Sequence, residues 1–424
     1  MRPEPERATE VPVHFLMFSA DAPDGVSRAV VTLANQLSLT RPVEVISLYR
    51  RRGGPAYPFA ERVRVTYLFD RPPMPRGATA GDVPATGLAG LLARRRSRVV
   101  LGRAFPNMSL LTDVALYRKL RTIRTGVIVS TRPSLHLVAA RLARPGVVTV
   151  GQDHLNFESR MAEPGSMTLI EEACRRGLDA FVTLTSADAD DYRRALAGSG
   201  TRVTTIPNAL SWPVSQPRAH DQRVVVAAGR LVPRKGMGRL VRAFAPVAHR
   251  HPDWELRIYG AGRLEADLSD QIERLGLTGR VRLMGHTHDL PAAFDGASVF
   301  ACGSRAEGFP MVMLEALSKG LPLVSFDCPR GPSDIVRDGI NGLLVPNGDI
   351  DGLARALESV VSDEELRHRL GAQALVDAAA YRPEGIAASW ERLFDDLCGA
   401  IGATTKRPMR PTEGSRTATP VPST

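Results

Sequence analysis

The sequence is poor in several features that define common protein classes. Aromatic residues are only 5% of the 424 residues, and the four cysteines are scattered without a Cys-x-x-Cys pair. No apolar run approaches the ~20 residues that span a bilayer, and the N-terminus lacks the apolar core of a secretory signal. These absences argue against a structural zinc site and a membrane span, and we expect a reduced cytosolic protein.

The composition is otherwise that of a folded α/β protein. Hydrophobic residues make up 43% of the chain and charged residues 24%, which is enough for buried cores and excludes disorder throughout. A chain of 424 residues exceeds one ordinary domain and predicts two.

The positive charge is concentrated in the first half. The net charge of the whole chain is +10, whereas residues 41–150 alone carry 20 basic and 5 acidic side chains. The densest run is Arg94, Arg95, Arg96 and Arg98, beside the leucines of residues 88–92. We place attraction to an anionic membrane surface ahead of the alternative, a merely solvated arginine-rich surface. Nucleic acid is disfavoured because no aromatic stacking platform accompanies the arginines.

Short apolar runs alternate with amphipathic stretches, which predicts two parallel sheets covered by helices on both faces. Residues 51–98 are expected to form loops and broken helices, since glycine, proline and arginine are frequent there. The predicted boundaries are a disordered segment 1–10, a first domain 11–206, a linker 207–223, a second domain 224–380, a helix 381–403 that crosses back to the first domain, and a disordered tail 404–424.

Ligands of open parallel sheets bind at the carboxyl ends of the strands, and three loops there have suitable chemistry. The first is residues 229–236, after a buried strand. Arg230 offers a planar fork and Lys235 a point charge, a pair that suits phosphate oxygens. The alternative is a basic surface loop.

The second loop leads into a helix that begins near Met311. The N–H groups of Gly308, Phe309 and Met311 would lack intrahelical partners there and could bind an anion. Glu307 precedes this turn, where a capping role is the alternative. Glu315 lies on an otherwise apolar helix, so it needs a hydrogen-bonding partner such as a vicinal diol; the alternative is a surface or interdomain charge.

The third loop is residues 24–27 of the first domain. Gly25 permits close approach of the backbone to a ligand at the start of a helix.

These motifs together resemble the donor domain of family 4 glycosyltransferases. The resemblance is carried by residues 229–231 with 235–236, by Gly260-Ala261-Gly262, by the Glu307 and Glu315 pair and by residues 341–345. Residues 152–157 and 327–332 are similar to the branch that builds envelope polysaccharides and teichoic-acid-like polymers.

The resemblance implies a GT-B fold, two Rossmann-like domains that face each other across a cleft, with no metal and no cofactor. The donor would be a nucleotide-diphosphate sugar, with UDP favoured, and the acceptor a glycan, a lipid-linked glycan or a polyol phosphate. Transfer would retain the anomeric configuration. The residue roles that it implies are diphosphate contacts for Arg230, Lys235 and Gly25, a ribose contact for Glu315, a sugar contact for Glu307, backbone contacts for Gly308, Phe309 and Met311, a base-side loop at Gly285 and His286, and an anchor for the last helix at Trp390.

Two further positions bear on this site. His154 follows a predicted strand, and we favour a role near sugar and acceptor over a structural histidine at a strand end. Asp334 stands where the family often has glutamate, and its shorter side chain is a departure from the family at a position of donor contact.

Other signals in the sequence have simpler explanations. His286 and His288 have the spacing of a metal pair but lack an accompanying ligand cluster, and the acids of residues 188–191 are better explained as a helix start. The rival functions are a nucleotide-sugar epimerase of similar shape and a catalytically silent nucleotide-binding or membrane-scaffold protein. An NAD-dependent oxidoreductase is disfavoured because the glycine fingerprint after residue 259 is incomplete.

Overall fold

The computed structural model describes residues 11–51, 53–70, 87–100, 107–215, 221–287 and 289–404, with side chains to residue 400. The predicted disordered segments, 1–10 and the tail beyond residue 404, lie outside these residues.

The first domain is a parallel sheet in the order β3-β2-β1-β4-β5-β6-β7. Its seven strands, among the described residues, are β1 (Val13–Met17), β2 (Val43–Arg50), β3 (Val63–Asp70), β4 (Val127–Ser130), β5 (Val148–Gln152), β6 (Ala180–Thr183) and β7 (Arg202–Thr205). The order reverses between β1 and β4, and this reversal opens a crevice at the carboxyl ends of those two strands.

Helices connect and cover these strands. Those in the described part of the first domain are α1 (Gly25–Leu37), α2 (Gly87–Arg94), α3 (Leu110–Leu120), α4 (Pro133–Leu142), α5 (Phe157–Ala162), α6 (Ser166–Arg175) and α7 (Ser186–Ala195).

The second domain repeats this plan with the order β10-β9-β8-β11-β12-β13. Its strands are β8 (Val224–Ala228), β9 (Glu255–Tyr259), β10 (Val281–Gly285), β11 (Val299–Cys302), β12 (Leu323–Asp327) and β13 (Gly342–Pro346). Its helices are α8 (Met237–Arg250), α9 (Glu265–Arg274), α10 (Leu290–Asp295), α11 (Met311–Leu317), α12 (Pro332–Ile335), α13 (Ile350–Ser362) and α14 (Glu364–Ala378). The strand order reverses between β8 and β11.

The sequence pattern explains the central strands well. Every residue of β4, β8 and β11 is buried, as expected for strands covered on both faces. These two sheets confirm the α/β class and the two Rossmann-like parallel-sheet domains that the sequence predicts.

The prediction for residues 51–98 is partly wrong. Residues 63–70 form a regular edge strand, β3, which pairs with β2 in parallel register. Only Val63 of this strand is fully buried. The sequence of β3 therefore has no continuous apolar run like those of the central strands. Helix α2 also forms in this region, and residues 71–86 lie outside the described part of the chain.

The last helix, α15 (Pro383–Thr404), joins the two domains. It packs against α1 and the first sheet, where Trp390 is fully buried and contacts Phe394 with ring centroids 5.6 Å apart. At its start, the carbonyl of Tyr381 accepts a hydrogen bond from the Leu210 N–H at 2.8 Å. Both interdomain crossings of the chain are therefore tied together at one point.

Within the described part of the chain, every helix is too short or too polar to cross a lipid bilayer.

Candidate active site

The two strand-order reversals place two sets of loops opposite each other. The second domain presents the loop after β8, with Arg230 and Lys235, and the loop after β11, with Glu307. The first domain presents the start of α1 and the segment after β5, which contains His154. The site is assembled from these loops.

Glycines bring the loops of the second domain into backbone contact. Gly236 has a left-handed φ of 60°, and a Cβ there would lie 1.8 Å from the carbonyl oxygen of Gly303. The Arg305 N–H also donates to the Arg234 carbonyl at 2.8 Å. A side chain at residue 236 would force these two loops apart. The glycine therefore allows the loop after β8, with Arg230 and Lys235, to pack against the loop that carries Glu307.

Lys235 and Glu307 form an ion pair at the centre of this contact. The Lys235 Nζ lies 2.6 Å from Glu307 Oε1, and the Ser304 hydroxyl donates to the same oxygen at 2.6 Å. The Glu307 side chain is only 5% exposed and that of Lys235 17%. The carboxylate thus has the cation that burial requires.

Arg230 is the accessible cation of the site. It is exposed, and its guanidinium has no ion-pair partner among the residues that the structure describes. It is therefore available to an anionic ligand without first breaking an internal pair.

The turn before α11 has the predicted free donors. The N–H groups of Gly308, Phe309 and Met311 make no hydrogen bond to any described residue, and Phe309 and Met311 are buried. Pro310 is the N-cap residue of α11.

This turn also meets the first domain. A Cβ at Gly308 would lie 2.6 Å from the His154 carbonyl oxygen, so the absence of a side chain allows the two domains to touch. The neighbouring Asn156 side chain donates to the carbonyl oxygens of Glu307 at 2.5 Å and Pro329 at 3.0 Å. His154 and Glu307, distant in sequence, are thereby brought to one place.

The His154 imidazole is held in its neutral form. Burial lowers its pKa to about 4; Asp153 opposes this effect, and nearby Arg132 adds to it. Its Nε2 is buried without a hydrogen-bond partner among the described atoms. A neutral imidazole nitrogen can accept a proton or donate a hydrogen bond, depending on its tautomer.

Glu315 has a partner that sequence analysis missed. Its carboxylate, 2% exposed, pairs with the guanidinium of Arg28 on α1 of the first domain. Arg28 also lies over the ring of Tyr57, with its Cζ 4.7 Å from the centroid. Arg28 lies three residues after Gly25, which was noted, but a lone arginine on a helix gave no signal of a partner 287 residues away.

Burial raises the pKa of the Glu315 carboxyl, and Arg28 acts in the opposite direction. The interdomain alternative considered for this residue is thus the contact that the structure contains. This ion pair with Arg28 uses the same Glu315 carboxylate that the resemblance assigns to the ribose hydroxyls.

The remaining predicted residues lie at the rim. Gly25 is the first residue of α1, and a Cβ there would meet no atom within 4 Å. Gly285 ends β10 with a φ of 70° and accepts a hydrogen bond from the Gly260 N–H, while His286 is exposed beyond it. The alternative metal residue His288 lies outside the described residues.

A second ion pair between the two domains involves Arg330 of the second domain and the acids of α7 in the first. Arg330 pairs with Asp191 and lies 3.5 Å from Asp188 at the start of α7. The acids of this helix were interpreted only as favourable to the helix start. The structure adds a cross-domain role that their local pattern could not reveal.

Among the described residues, one group of three side chains has the spacing of a metal site: Asp221, Glu364 and His368, all exposed. Asp221 precedes β8 and lies at the amino end of this strand, whereas the loops described above follow the carboxyl ends of the strands. This group therefore takes no part in the site.

Comparison with known proteins agrees with this architecture. Residues 210–376 match the family described as Glycosyl transferases group 1. Over 91% of its length the chain is 33% identical to an exopolysaccharide phosphotransferase of Streptomyces coelicolor, and it covers 41% of that protein. It is 26% identical, over 59% of its length and 50% of the relative, to a poly(ribitol-phosphate) alpha-N-acetylglucosaminyltransferase of Staphylococcus aureus.

The chain thus spans about half the length, or less, of these two curated relatives. Among solved structures it resembles S. aureus TarM, crystallised as a point mutant in complex with fondaparinux, alpha-GlcNAc-glycerol and UDP. The TM-score is 0.72 at 16% identity, with 91% of this chain and 100% of that chain covered. This similarity shows the fold.

We predict that Arg28→Gln destabilises the protein more at pH 8 than at pH 5. Loss of the guanidinium leaves the Glu315 carboxyl buried without its cation, so its folded-state pKa rises further above that of the unfolded chain. The folded state then binds more protons than the unfolded state in this window, and stability falls as pH rises through it. Denaturant unfolding at both pH values measures the effect, which should be about 1–3 kcal/mol at pH 8.

The matched background is Glu315→Gln, which removes the titrating group. Arg28→Gln should have little pH-dependent effect in that background. The prediction is contradicted if Arg28→Gln lowers the free energy of unfolding of the natural sequence by the same amount at pH 5 and at pH 8. That result would show that the Arg28–Glu315 pair is not coupled to protonation of Glu315.

Proposed function

We propose that this chain, whose residues 210–376 match the glycosyl transferases group 1 family, is a retaining glycosyltransferase of family 4 type. It would move a sugar from a nucleotide-diphosphate donor to a hydroxyl of a glycan, lipid-linked or polyol-phosphate acceptor in cell-envelope polysaccharide synthesis. The observation that carries the proposal is the convergence of Arg230, Lys235, Glu307 and the free N–H groups before α11 at the strand-order reversal of the second sheet.

The donor diphosphate would bind to the cationic side of this site. Arg230 is exposed and unpaired within the described structure, and Lys235 needs only to exchange or share the Glu307 carboxylate. The N–H groups of Gly308, Phe309 and Met311 add fixed dipoles. Charge that grows on the leaving diphosphate is stabilised by such preorganised donors without a metal ion.

UDP is the favoured nucleotide, in keeping with its presence in the crystals of TarM. Glu315 would accept hydrogen bonds from the ribose hydroxyls, which requires Arg28 to share or release the carboxylate. Gly285 and His286 would lie on the base side. Entry of a nucleotide would therefore be coupled to the contact between the domains.

The chemical step exchanges one bond at the anomeric carbon. The bond to the diphosphate oxygen breaks, and the acceptor oxygen attacks from the same face. The leaving phosphate oxygen takes the acceptor proton. Glu307 would orient the sugar, and the neutral His154, whose backbone adjoins Gly308, would contact sugar or acceptor.

The S. coelicolor relative is named an exopolysaccharide phosphotransferase, so a second candidate is transfer of a phosphate-containing group, such as a sugar phosphate. The chain spans 41% of that protein, so its named activity is not carried over to these residues. The two reactions differ in the nucleotide that they release: a glycosyltransferase releases the nucleoside diphosphate, and a sugar-phosphate transferase releases the monophosphate.

We predict that turnover of a UDP-sugar releases UDP and that Glu307→Gln lowers this turnover far more than it lowers affinity for UDP. The neutral amide keeps the shape of the side chain but loses the charge next to the sugar. Chromatography of the nucleotide products and calorimetry with UDP provide the two measurements. Release of UMP would identify the second candidate, and unchanged turnover would remove Glu307 from the chemistry.

We also predict that Arg230→Ala weakens UDP binding by about 1–3 kcal/mol, the range for a hydrogen bond to a charged group. Isothermal titration calorimetry measures the affinity. The matched control is Arg274→Ala, which removes an exposed arginine at the end of α9 whose guanidinium, within the described structure, donates only to the Asp270 carbonyl of its own helix. The proposed diphosphate role fails if the two variants bind UDP equally well.

A peripheral position on an anionic membrane is proposed for the first domain. Leu88 and Leu91 of α2 are 72% and 53% exposed, and Arg94, Arg95, Arg96 and Arg98 next to them are all exposed. Exposed leucines beside exposed arginines combine apolar insertion with attraction to anionic lipid. This would hold the enzyme, as a cytoplasmic protein, next to a lipid-linked acceptor.

We predict that the protein sediments with phosphatidylglycerol vesicles at low salt and is released as salt screens the arginines. Leu88→Gln with Leu91→Gln, and separately Arg94→Gln with Arg95→Gln, should each reduce the bound fraction. Phosphatidylcholine vesicles are the control. Equal binding to both lipids, or none at low salt, would contradict a surface of this kind.

A further inference from the structure

A cavity of about 310 Å³ lies in the first domain at its own strand-order reversal. It is lined by the segment after β1, the start of α1 and the turn from β4 into α4. Its volume suits a small ligand rather than a few waters.

Two of the arginines that line this cavity have no carboxylate partner in the described structure, and one of them, Arg51, has its Cζ 5.9 Å from the centroid of the Tyr49 ring. Arg132, half-buried at the N-cap of α4, and Arg51, exposed after β2, have no ion-pair partner among the described residues. The third, Arg160, is fully committed to Asp153 and Glu163.

The cavity also contains two carboxylates, of which Glu163 has a cationic partner and Asp24 has a helix-cap hydrogen bond. Asp24 accepts the Ser27 N–H at 2.8 Å as the cap of α1. Glu163 binds Arg160 and accepts the Ser166 hydroxyl at 2.6 Å. Asp24 has no cation partner among the described residues, so two arginines and one carboxylate of the lining lie outside ion pairs, and the lining keeps an excess of positive charge.

A buried polar side chain lines the same wall. Ser134 is only 1% exposed, and neither its hydroxyl nor its N–H bonds to a described residue. A buried polar group without a partner is costly unless a ligand or water satisfies it. With Arg132 two residues earlier on the same turn, it forms a cluster of hydrogen-bond donors.

We propose that this cavity binds the phosphate ester group of the acceptor, with Arg132 and Arg51 as its recognition residues and Ser134 as a further donor. An arginine fork matches two phosphate oxygens, whereas a neutral glycan would leave both charges unused. The inference rests on the proposed transferase function and narrows its acceptor to a phosphorylated polyol or sugar.

The cavity adjoins the reaction centre through His154. Arg132 and Asp24, both in the cavity lining, are close enough to influence the pKa of this imidazole. The His154 carbonyl in turn touches Gly308, beside Glu307. A phosphate held by Arg132 thus places a neighbouring hydroxyl of the same molecule towards the donor sugar.

The test is calorimetry on the full chain saturated with UDP, so that the diphosphate site is filled. The probes are glycerol 1-phosphate, a monoester, and glycerophosphoglycerol, a diester, with glycerol as the neutral match. We expect one or both phosphate probes to bind at least about 10-fold more tightly than glycerol, as a charged hydrogen bond provides. Preference for the monoester indicates a free phosphorylated polyol, and preference for the diester indicates a polymer repeat.

Arg132→Gln should weaken the preferred probe by about 10- to 100-fold, the range for a charged hydrogen bond. Arg51→Gln should weaken it in the same direction, and this exposed position tests the proposal even if the Arg132 variant does not fold. The matched control is Arg118→Gln, an exposed arginine on α3 outside the cavity, which should bind the probe normally.

The outcomes distinguish the two proposals. If none of UDP, GDP and ADP binds the natural protein, the proposed function fails. If UDP binds but glycerol and the phosphate probes bind equally, or if the Arg132 and Arg51 variants match the Arg118 control, the cavity proposal is overturned while the transferase function stands.

Discussion

The site depends on two buried carboxylates, each of which requires a cation. Glu307 has Lys235 from its own domain, at 2.6 Å, and Glu315 has Arg28 from the other domain. A carboxylate removed from water without such a partner costs several kcal/mol or becomes protonated. The positions of these two glutamates therefore fix which loops must meet and, through Arg28, how the two domains face each other.

The interdomain contacts serve the same arrangement. Gly308 admits the His154 carbonyl, Asn156 donates to two carbonyls of the second domain, and Arg330 pairs with acids of α7. These contacts are polar and local, whereas the cores of the two domains are apolar and largely separate. A ligand that competes for one polar contact can shift the domains without disturbing either core.

Both sheets use the same topological device. Each reverses its strand order, and each reversal opens a crevice lined by the loops that follow two neighbouring strands. The second crevice joins an accessible arginine, a lysine and free N–H groups. The first joins a buried serine and two arginines that lack an ion-pair partner in the described part of the chain. The His154 carbonyl, at the first sheet, touches Gly308 in the turn before α11 of the second domain, so the two sets of loops are in contact at this point.

Local pattern accounts for the elements that the sequence predicted and for those it missed. Continuous apolar runs identified β4, β8 and β11, because strands buried on both faces carry few polar residues. Edge strand β3 was missed because only Val63 is fully buried. Helix α14 also gave little signal, since only a narrow stripe that includes Leu370, Ala374 and Ala378 is buried.

By itself, the sequence determined the fold class and the chemistry of the loops after β8 and β11, because glycines, cations and glutamates act there through spacing within one segment. It could not determine the partner of Glu315, the contact of His154 with Gly308 or the free charges around the first cavity. Those depend on pairs separated by as many as 287 residues, such as Arg28 and Glu315. Only the tertiary structure decides such pairs, because the sequence does not distinguish an arginine exposed to solvent from one that pairs with a buried carboxylate.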